Sequence, residues 1–205
     1  MIDWDSCVLW LDNKYFSEYK WWDRSKYNND GVVYGAKFKE DGFYFKNSRV
    51  YCGNHQSLNF SDKVSIEIIL EINKRDEFRG VVNAGAHPNH VYQLYLREEA
   101  GKDFSFRVNK SGTEYMITFG DYEEGGKYHV IGAFDGSNMV GYVNGEKFTP
   151  TISTQSQSYN FTGVYVGYNE GLNKKYFEGK IKLVRIFHGY VDEDEAEILW
   201  RLSGL

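Results

Sequence analysis

Two glutamates in the run "VSIEIILEI" are the first candidates for chemistry, because paired carboxylates hydrolyse glycosidic bonds. Glu67 and Glu71 have the same parity, so both side chains point to one face of a strand. Strand rise separates them by about 13 Å, whereas a retaining glycosidase holds its two carboxyl groups about 5–5.5 Å apart. Ile69 stands between them, so the pair lacks a third acid that could tune a proton donor. The spacing predicts ordinary exposed strand residues rather than a catalytic pair.

Histidines in the segment "AHPNHV" are candidates for metal or ligand binding. His87 and His90 flank Pro88 and Asn89 between two strand-like runs, where functional groups are often placed. Two imidazoles hold zinc or another transition metal only if further ligands come from elsewhere in the fold. Contact with a ligand and plain loop polarity are the other two interpretations. His129 lies within a strand-like run, and a structural or surface role is expected for it.

The segment "WDRSKYNNDG" is rich in oxygen-bearing side chains, which are the ligands that calcium prefers. Its spacing does not match an EF-hand loop, and Asx side chains form turns without any metal. Asp23, Asn28 and Asp30, with Ser25 beside them, are therefore a weak candidate for a structural calcium site, and turn formation is the alternative. The sequence contains no Gly-rich phosphate loop, HExxH motif or CxxC motif.

Aromatic side chains beside amides are the more suggestive feature. The chain has seventeen tyrosines and five tryptophans, more than one sandwich core requires. Aromatic faces next to Asn, Gln and His suit sugar rings, which present apolar C–H faces and polar rims. Candidate platforms are Trp21 and Trp22 in "EYKWWD", and Gln157, Tyr159 and Asn160 in "TQSQSYNFTG". The alternative is that one tryptophan of the pair lies in the core while the other faces outward, since adjacent residues have opposite parity.

Alternating apolar and polar residues predict the strands that position these groups. The stretch "GGKYHVIGAFDGSNMVGYVNGEKF" alternates, turns at Asp-Gly, alternates again and turns at Asn-Gly, which is typical of half-exposed antiparallel hairpins. Further runs alternate in the same way between turn signals, so we expect an all-β sandwich or barrel. A change of apolar parity predicts a β-bulge near Leu183. Only "DEDEAEILWRL" is typical of a helix, with Asp192 as its cap and an apolar stripe at Ile198, Leu199 and Leu202.

Composition limits the class of protein. The 205 residues, 41% of them hydrophobic, suit a single domain over residues 1–205. The net charge of −5 and the scattered cations argue against nucleic-acid binding, and we expect Lys180, Lys182 and Arg185 to lie on a solvated face beside Glu178. The sequence contains no apolar run long enough to insert in a membrane and no signal-peptide pattern at "MIDWDSCVLW".

Modification chemistry is left open by the sequence. Cys7 and Cys52 are too few for a disulfide framework, although they could pair with each other. Asn59, Asn109 and Asn160 begin Asn-x-Ser/Thr sequons, which predict surface acceptors if the chain meets a glycosylation machinery.

Several of these segments together resemble the laminin-G-like jelly rolls of the concanavalin A-like lectin and glucanase superfamily. "WDRSKYNNDGVVYGAKFKEDGFYF" is similar to the opening of that family, and "YCGNHQSLNFSDKVSIEIILEI" is similar to its next strand pair. "YHV … FDG … YVNGE" resembles its central hairpin, and "YFEGKIKLVRIF" followed by "DEDEAEIL" resembles its end. The resemblance covers nearly the whole chain and implies a two-sheet antiparallel β-sandwich, a concanavalin A-like jelly roll, with a short C-terminal helix.

The resemblance also bears on the candidate sites. Glu67 and Glu71 resemble the outer acids of the Glu-x-Asp-x-(x)-Glu motif of the glucanases, but Ile69 occupies the central position. Laminin-type members hold calcium at one rim through acidic loop side chains. The loops that align with that rim, "NAGAHPNHV" and "TQSQSYN", contain no carboxylate, so a rim calcium is in doubt.

The leading hypothesis is a non-catalytic recognition module that binds carbohydrate or a cell-surface glycoprotein. We expect its ligand at the rim where "GAHPNHVY" meets "TQSQSYN". The first alternative is a structural virion or surface-layer component that self-associates, and the second is a glycoside hydrolase. The family resemblance implies an extracellular, cell-surface or virion-associated location. The sequence identifies no certain cofactor; structural calcium is the one candidate.

Overall fold

The computed structural model describes residues 1–60, 62–74, 79–86, 88–97, 103–170 and 175–205. Within them the chain is mostly strand, with one α-helix, α1, at Glu193–Ser203, and 3₁₀ turns at Trp4–Ser6 and Gln56–Leu58. The strands are β1 (Cys7–Phe16), β2 (Lys20–Asp23), β3 (Gly31–Tyr34), β4 (Lys37–Lys39), β5 (Gly42–Phe45), β6 (Arg49–Tyr51), β7 (Val64–Ile72), β8 (Arg79–Ala84), β9 (Tyr92–Arg97), β10 (Asp103–Lys110), β11 (Thr113–Asp121), β12 (Lys127–Phe134), β13 (Met139–Val143), β14 (Glu146–Phe148), β15 (Ser153–Ser156), β16 (Val164–Val166), β17 (Tyr168–Asn169), β18 (Lys175–Tyr176) and β19 (Gly179–Phe187).

The strands form two antiparallel layers. The back sheet has the order β14-β13-β12-β7-β19-β1, and β5 pairs with the first residues of β19 on the edge that β1 continues. The front sheet has the order β3-β6-β16-β8-β9-β10-β11-β15. β2 pairs with both β1 and β3 and so connects the layers. The predicted two-sheet antiparallel β-sandwich with a C-terminal helix is confirmed.

The main hydrophobic core lies between the two sheets. One residue in two along each strand points inward, as the period of a strand requires. Aromatic rings supply much of the volume: Phe43, Phe45, Phe104, Phe106, Phe134 and Trp21 are all fully buried. Burying an aromatic or large aliphatic side chain stabilises a fold by about 1.5–3 kcal/mol, so this layer holds the sandwich together.

Two local predictions are confirmed. Helix α1 begins with a capping box in which the Asp192 carboxylate accepts from the Glu195 backbone N–H, and the Glu195 side chain accepts from the Asp192 backbone N–H. In β19 the register with β7 shifts between Ile181 and Leu183, which is the bulge that the change of parity predicts.

A second apolar cluster lies on the outer face of the back sheet, under α1. Ala196 and Leu199 of the helix pack there with Ile131, Tyr142 and Phe187 of the strands. The predicted stripe is therefore wrong for two of its three residues, because only the Leu199 side of the helix meets the sheet. The other two, Ile198 and Leu202, are exposed.

The expectation of half-exposed strands is wrong for the back sheet. In β7 the outward side chains Ser65 and Glu67 are fully buried, like the inward ones. The reason is that the helix and the N-terminal segment cover this face. Burial by these distant segments does not change the alternation of apolar and polar residues within the strand.

The two cysteines are free thiols in different clusters. Cys7 packs in the cluster under α1, whereas Cys52 packs between the sheets. Burial raises the pKa of the Cys7 thiol to about 12 and raises the pKa of Cys52 as well. The pairing that the sequence left open is therefore absent from this structure.

The turn at Asn144-Gly145 supports a first prediction. Both residues have positive φ, 51° and 83°, as a type I′ turn requires. A Cβ at Gly145 would also lie 2.7 Å from Trp200 Cδ1, so the indole must shift. We expect Gly145→Val to lower the free energy of unfolding by about 1–2 kcal/mol through backbone strain, with an added loss from the displaced indole.

The matched control is Gly112→Val. Gly112 has a φ of 86° in a similar turn, but no atom lies within 4 Å of a Cβ built there. Thermal melts of the two variants should show the larger loss at position 145. Equal melting temperatures for Gly145→Val and wild type would contradict the prediction.

Candidate functional site

Glu67 does not lie at an open catalytic position. Its carboxylate accepts hydrogen bonds from Arg185 Nη1 at 3.2 and 2.9 Å and from His129 Nε2 at 3.0 Å. Glu67 and His129 are fully buried and Arg185 is nearly so. The prediction that Glu67 is exposed is wrong, because the helix covers this face of the sheet. A buried charge is stable only when it is paired, and Arg185 provides the partner. The structural role expected for His129 is that of a buried hydrogen-bond partner of Glu67.

Glu71 fits its prediction better. It is partly exposed, and its carboxylate is 3.8 Å from Lys127 and 3.9 Å from Lys180. The expected solvated face is wrong for Lys180, whose ammonium is nearly buried between Glu40 at 2.7 Å and Asp41 at 3.2 Å. These cations are neutralised within the fold and do not form an open basic patch.

In the turn that begins at Asp23, both carboxylate oxygens of Asp23 already accept hydrogen bonds from the protein. Asp23 Oδ1 accepts from the backbone N–H groups of Trp10 and Ser25, and Oδ2 accepts from Ser25 Oγ and the Asn29 N–H. Asp30 accepts from the Asp23 N–H and pairs with a lysine, Lys20, at 2.6 Å. The candidate calcium ligands therefore do not converge. Asn28 contributes a left-handed backbone with φ 56°.

The structure separates the two tryptophans of the candidate platform. Trp21 is fully buried, and its Nε1–H donates to the Asp12 carbonyl at 2.6 Å, so its assignment as a ligand contact is wrong. Trp22 has the opposite parity on β2 and is 40% exposed. The expectation that one ring is core and the other faces outward is confirmed.

The two loops predicted to form a rim lie against each other. The Asn160 N–H donates to the Asn89 carbonyl at 2.9 Å, Gln157 Nε2 donates to the Pro88 carbonyl at 3.0 Å, and Ser158 Oγ donates to Asn89 Oδ1 at 2.9 Å. We call residues 88–90 and 157–160 the rim. Its two segments follow β8 and β15, which lie in the same front sheet.

Within the rim, the predicted residues differ in access. Tyr159 is 50% exposed, Asn160 is exposed, and Asn89 and Gln157 are half-buried. His90 is 2% exposed, so the direct ligand contact suggested for it is wrong. His87 lies outside the described residues.

A row of polar side chains continues from the rim across the outer face of the front sheet. Glu114 is buried, and its carboxylate accepts from Gln155 Nε2 at 2.7 Å and from Arg107 Nη1 at 3.4 Å. Arg107 also donates to Tyr95 Oη at 2.6 Å. Gln93 lies opposite Arg107 on β9, and among the described residues its buried Nε2 has no hydrogen-bond partner. We call Gln93, Arg107, Glu114 and Gln155 the polar row.

Asn109 connects the rim to the polar row. Its Nδ2 donates to the Gln157 carbonyl at 2.6 Å, and its Oδ1 accepts from the Gly112 N–H at 3.1 Å. Asn109 is buried, so the prediction that its sequon is a surface acceptor is wrong. The sequence alone does not predict the polar row, although polar residues recur at its outward-facing positions. The pattern that could have predicted the polar row is that Arg107 and Glu114 both occupy outward-facing positions of their strands.

Within the described residues, no group of three or more His, Cys, Asp or Glu side chains is arranged to hold a metal ion. The described part of the chain also has no helix long and apolar enough to cross a membrane. The side chains that the rim and the polar row expose or hold in place are amides, hydroxyls, one tyrosine ring and one ion pair. These groups form hydrogen bonds and stack.

The chain belongs to the concanavalin A-like lectin/glucanases superfamily, since its laminin-G family matches residues 23–197. The family expected from the sequence is confirmed. No curated protein sequence matches the chain significantly.

Solved structures share the fold at low sequence identity. Trypanosoma rangeli sialidase superposes with a TM-score of 0.70 at 14% identity, over 98% of this chain and 33% of that one. The binding domain of Paraclostridial Mosquitocidal Protein 1 superposes with a TM-score of 0.72 at 16% identity, over 98% of this chain and 53% of that one. The chain thus spans about a third to a half of these proteins, and the similarity is one of fold.

Proposed function

We propose that this chain is a non-catalytic module that recognises glycans through the rim and the polar row. The observation that carries the proposal is the meeting of residues 88–90 with residues 157–160, which gathers the exposed Tyr159 and the amide residues Asn89, Gln157 and Asn160 into one short stretch of surface. An apolar ring face next to amide donors and acceptors matches a sugar, which needs both.

The polar row adds fixed hydrogen-bonding groups to this surface. Arg107 and Gln155 hold the Glu114 carboxylate from two sides, so its orientation is set before a ligand arrives. Fixed groups lose less conformational entropy on binding than mobile ones. Gln93 is 2% exposed, so ligand contact along the row is expected at the exposed Gln155 instead.

Glu67 and Glu71, the two described carboxylates that resemble a glucanase motif, do not form a catalytic pair, which supports a non-catalytic role. Glu67 is committed to Arg185 and His129, and Glu71 lies four residues along the same strand. A retaining glycosidase needs its two carboxyl groups about 5–5.5 Å apart and open to the substrate. We therefore propose that glycans are bound and released unchanged.

A glycan array tests the proposal. We expect the protein to bind a defined subset of glycans, and we expect the pattern to be the same in calcium and in EDTA. The reason is that neither rim segment contains a carboxylate, and calcium binds mainly to anionic oxygens. An array without specific binding, or binding that EDTA abolishes, would contradict this account of the rim.

A further inference from the structure

A second cleft lies on the opposite side of the sandwich, on the outer face of the back sheet. Strands β1, β7 and β19 form its floor, and the last turn of α1 with Leu202 and Gly204 forms one wall. The cleft has a volume of about 550 Å³, which lies within the usual range for small-molecule sites of about 300–1,000 Å³. None of the described rim or polar-row residues lines it. We call it the helix-end cleft.

One wall of the helix-end cleft is a stacked pair of tryptophans. The rings of Trp4 and Trp10 lie 5.0 Å apart at an interplanar angle of 18°, and Trp4 is 41% exposed. The Arg185 guanidinium lies 5.1 Å from the Trp4 ring centre and 4.4 Å from that of Trp10. These contacts fix the Trp4 indole in position, and an exposed, fixed indole is an apolar surface on which a sugar ring can stack.

The remaining lining consists of charged pairs that are already formed. Arg24 Nη1 lies 2.5 Å from Asp12 Oδ2, and Lys182 forms an ion pair with Asp41. Partial burial tends to raise the pKa of Asp41, but hydrogen bonds from Lys182 and Lys180 outweigh it and lower the pKa, so this carboxylate is ionised at neutral pH. Charged groups paired in this way offer donors and acceptors at fixed positions to neighbouring hydroxyls.

The charges of the cleft do not cancel. In the lining, four cationic side chains face three anionic ones: Lys14, Arg24, Lys182 and Arg185 against Asp12, Asp41 and Glu67. Among the described residues no carboxylate lies within salt-bridge distance of Lys14, which is exposed. The cleft thus has an excess of one positive charge in a chain whose net charge is −5. One unpaired ammonium matches a single carboxylate better than a di- or triphosphate.

We propose that the helix-end cleft binds an acidic saccharide unit, with the sugar ring stacked on Trp4 and its carboxylate paired with Lys14. The site shares its ligand class with the proposed function but none of its residues. The C–H face of the ring covers the exposed indole, and the ring hydroxyls meet the Arg24–Asp12 and Lys182–Asp41 pairs. The positive excess selects an acidic sugar over its neutral analogue.

Two probes of equal size and ring shape separate these contributions. Methyl β-D-glucuronide carries a carboxylate where methyl β-D-glucoside carries a hydroxymethyl group. In ligand-detected NMR titrations of the wild-type chain, we expect saturable binding of the glucuronide, at least tenfold tighter than binding of the glucoside. Equal affinities for the two probes, or no saturable binding of the glucuronide, would overturn the proposal.

Variants test the two contacts separately. Trp4→Ala should raise the Kd of the glucuronide at least tenfold, and Lys14→Glu should abolish the preference for the glucuronide. Lys14 is exposed, so Lys14→Glu should melt like wild type. Trp4→Ala loses the stacking contact with Trp10, so its melting temperature should fall slightly while the protein stays folded. The matched controls are Trp22→Ala, an equally exposed tryptophan outside the cleft, and the rim variant Asn89→Ala with Tyr159→Ala.

The outcomes distinguish the two sites. If the glucuronide binds Trp4→Ala as it binds wild type, the cleft assignment is wrong. If its binding survives in both controls and is lost in Trp4→Ala, the cleft is an independent site, whatever the fate of the rim proposal. Loss in the rim variant with retention in Trp4→Ala would place the glucuronide at the rim and overturn this inference.

Discussion

Replacing Glu67 with alanine is expected to lower the free energy of unfolding by about 3–5 kcal/mol, which is the range for breaking a buried ion pair. Glu67 is fully buried and accepts from both Arg185 and His129. Without the carboxylate, the Arg185 guanidinium stays beneath the helix as an uncompensated charge. The expected loss exceeds that of a typical single substitution, about 1 kcal/mol, because the cost is that of stranding a charge.

Urea denaturation of matched variants measures this effect. Glu71→Ala removes a carboxylate from the same face of the same strand, but its ion pairs are long, at 3.8 and 3.9 Å, and it is partly exposed. We expect that control to lose less than about 1 kcal/mol, as exposed pairs do. Glu67→Gln should lie between the two alanine variants, because it keeps the volume and one acceptor. Equal losses for Glu67→Ala and Glu71→Ala would show that Glu67 is not the anchor of a buried ion cluster.

The sequence predicts the local structure well where the cause is local. Alternation in "VSIEIILEI" predicts β7, the change of parity predicts the bulge beside Leu183, and Asp192 with Glu195 predicts the start of α1. Each of these features depends on residues that are close together in the sequence, so it can be predicted from the sequence alone. Asn144-Gly145 predicts its turn for the same reason.

The sequence fails where burial comes from distant parts of the chain. Glu67 has the pattern of an exposed residue, and it is buried because Arg185 and the terminal helix, more than a hundred residues later, pack over it. The prediction of a solvated face is wrong for Lys180 for the same reason, since its partners Glu40 and Asp41 come from the first quarter of the chain.

In the candidate site, too, some features could be predicted from the sequence and others depend on distant parts of the chain. The meeting of the two rim segments followed from the family resemblance, and the contacts between Asn89 and Asn160 agree with it. Residue type alone did not show that His90 and Trp21 are inaccessible. The polar row could not be predicted because Arg107 and Glu114 lie on different strands, and their 3.4 Å contact depends on the register between those strands.

Removing the rim's aromatic ring together with one amide is expected to weaken glycan binding at least tenfold. Tyr159 is half exposed, and Asn89 holds residue 158 through its side-chain oxygen, so Asn89→Ala with Tyr159→Ala removes both the stacking surface and its neighbouring acceptor. A tenfold loss corresponds to about 1.4 kcal/mol, and a buried partner left unpaired costs about 1–3 kcal/mol. Stability should change little, since these loop side chains are not part of the core.

The central claim is that this rim recognises a glycan, and the Kd of the tightest neutral glycan from the array tests it most directly. A neutral ligand is chosen because it does not draw on the charge of the helix-end cleft. Isothermal titration should give a Kd for Asn89→Ala with Tyr159→Ala at least ten times that of wild type, and an unchanged Kd for Trp22→Ala. Wild-type affinity in the rim variant, together with loss of binding in Trp22→Ala, would contradict the claim and place the site on the edge formed by β2.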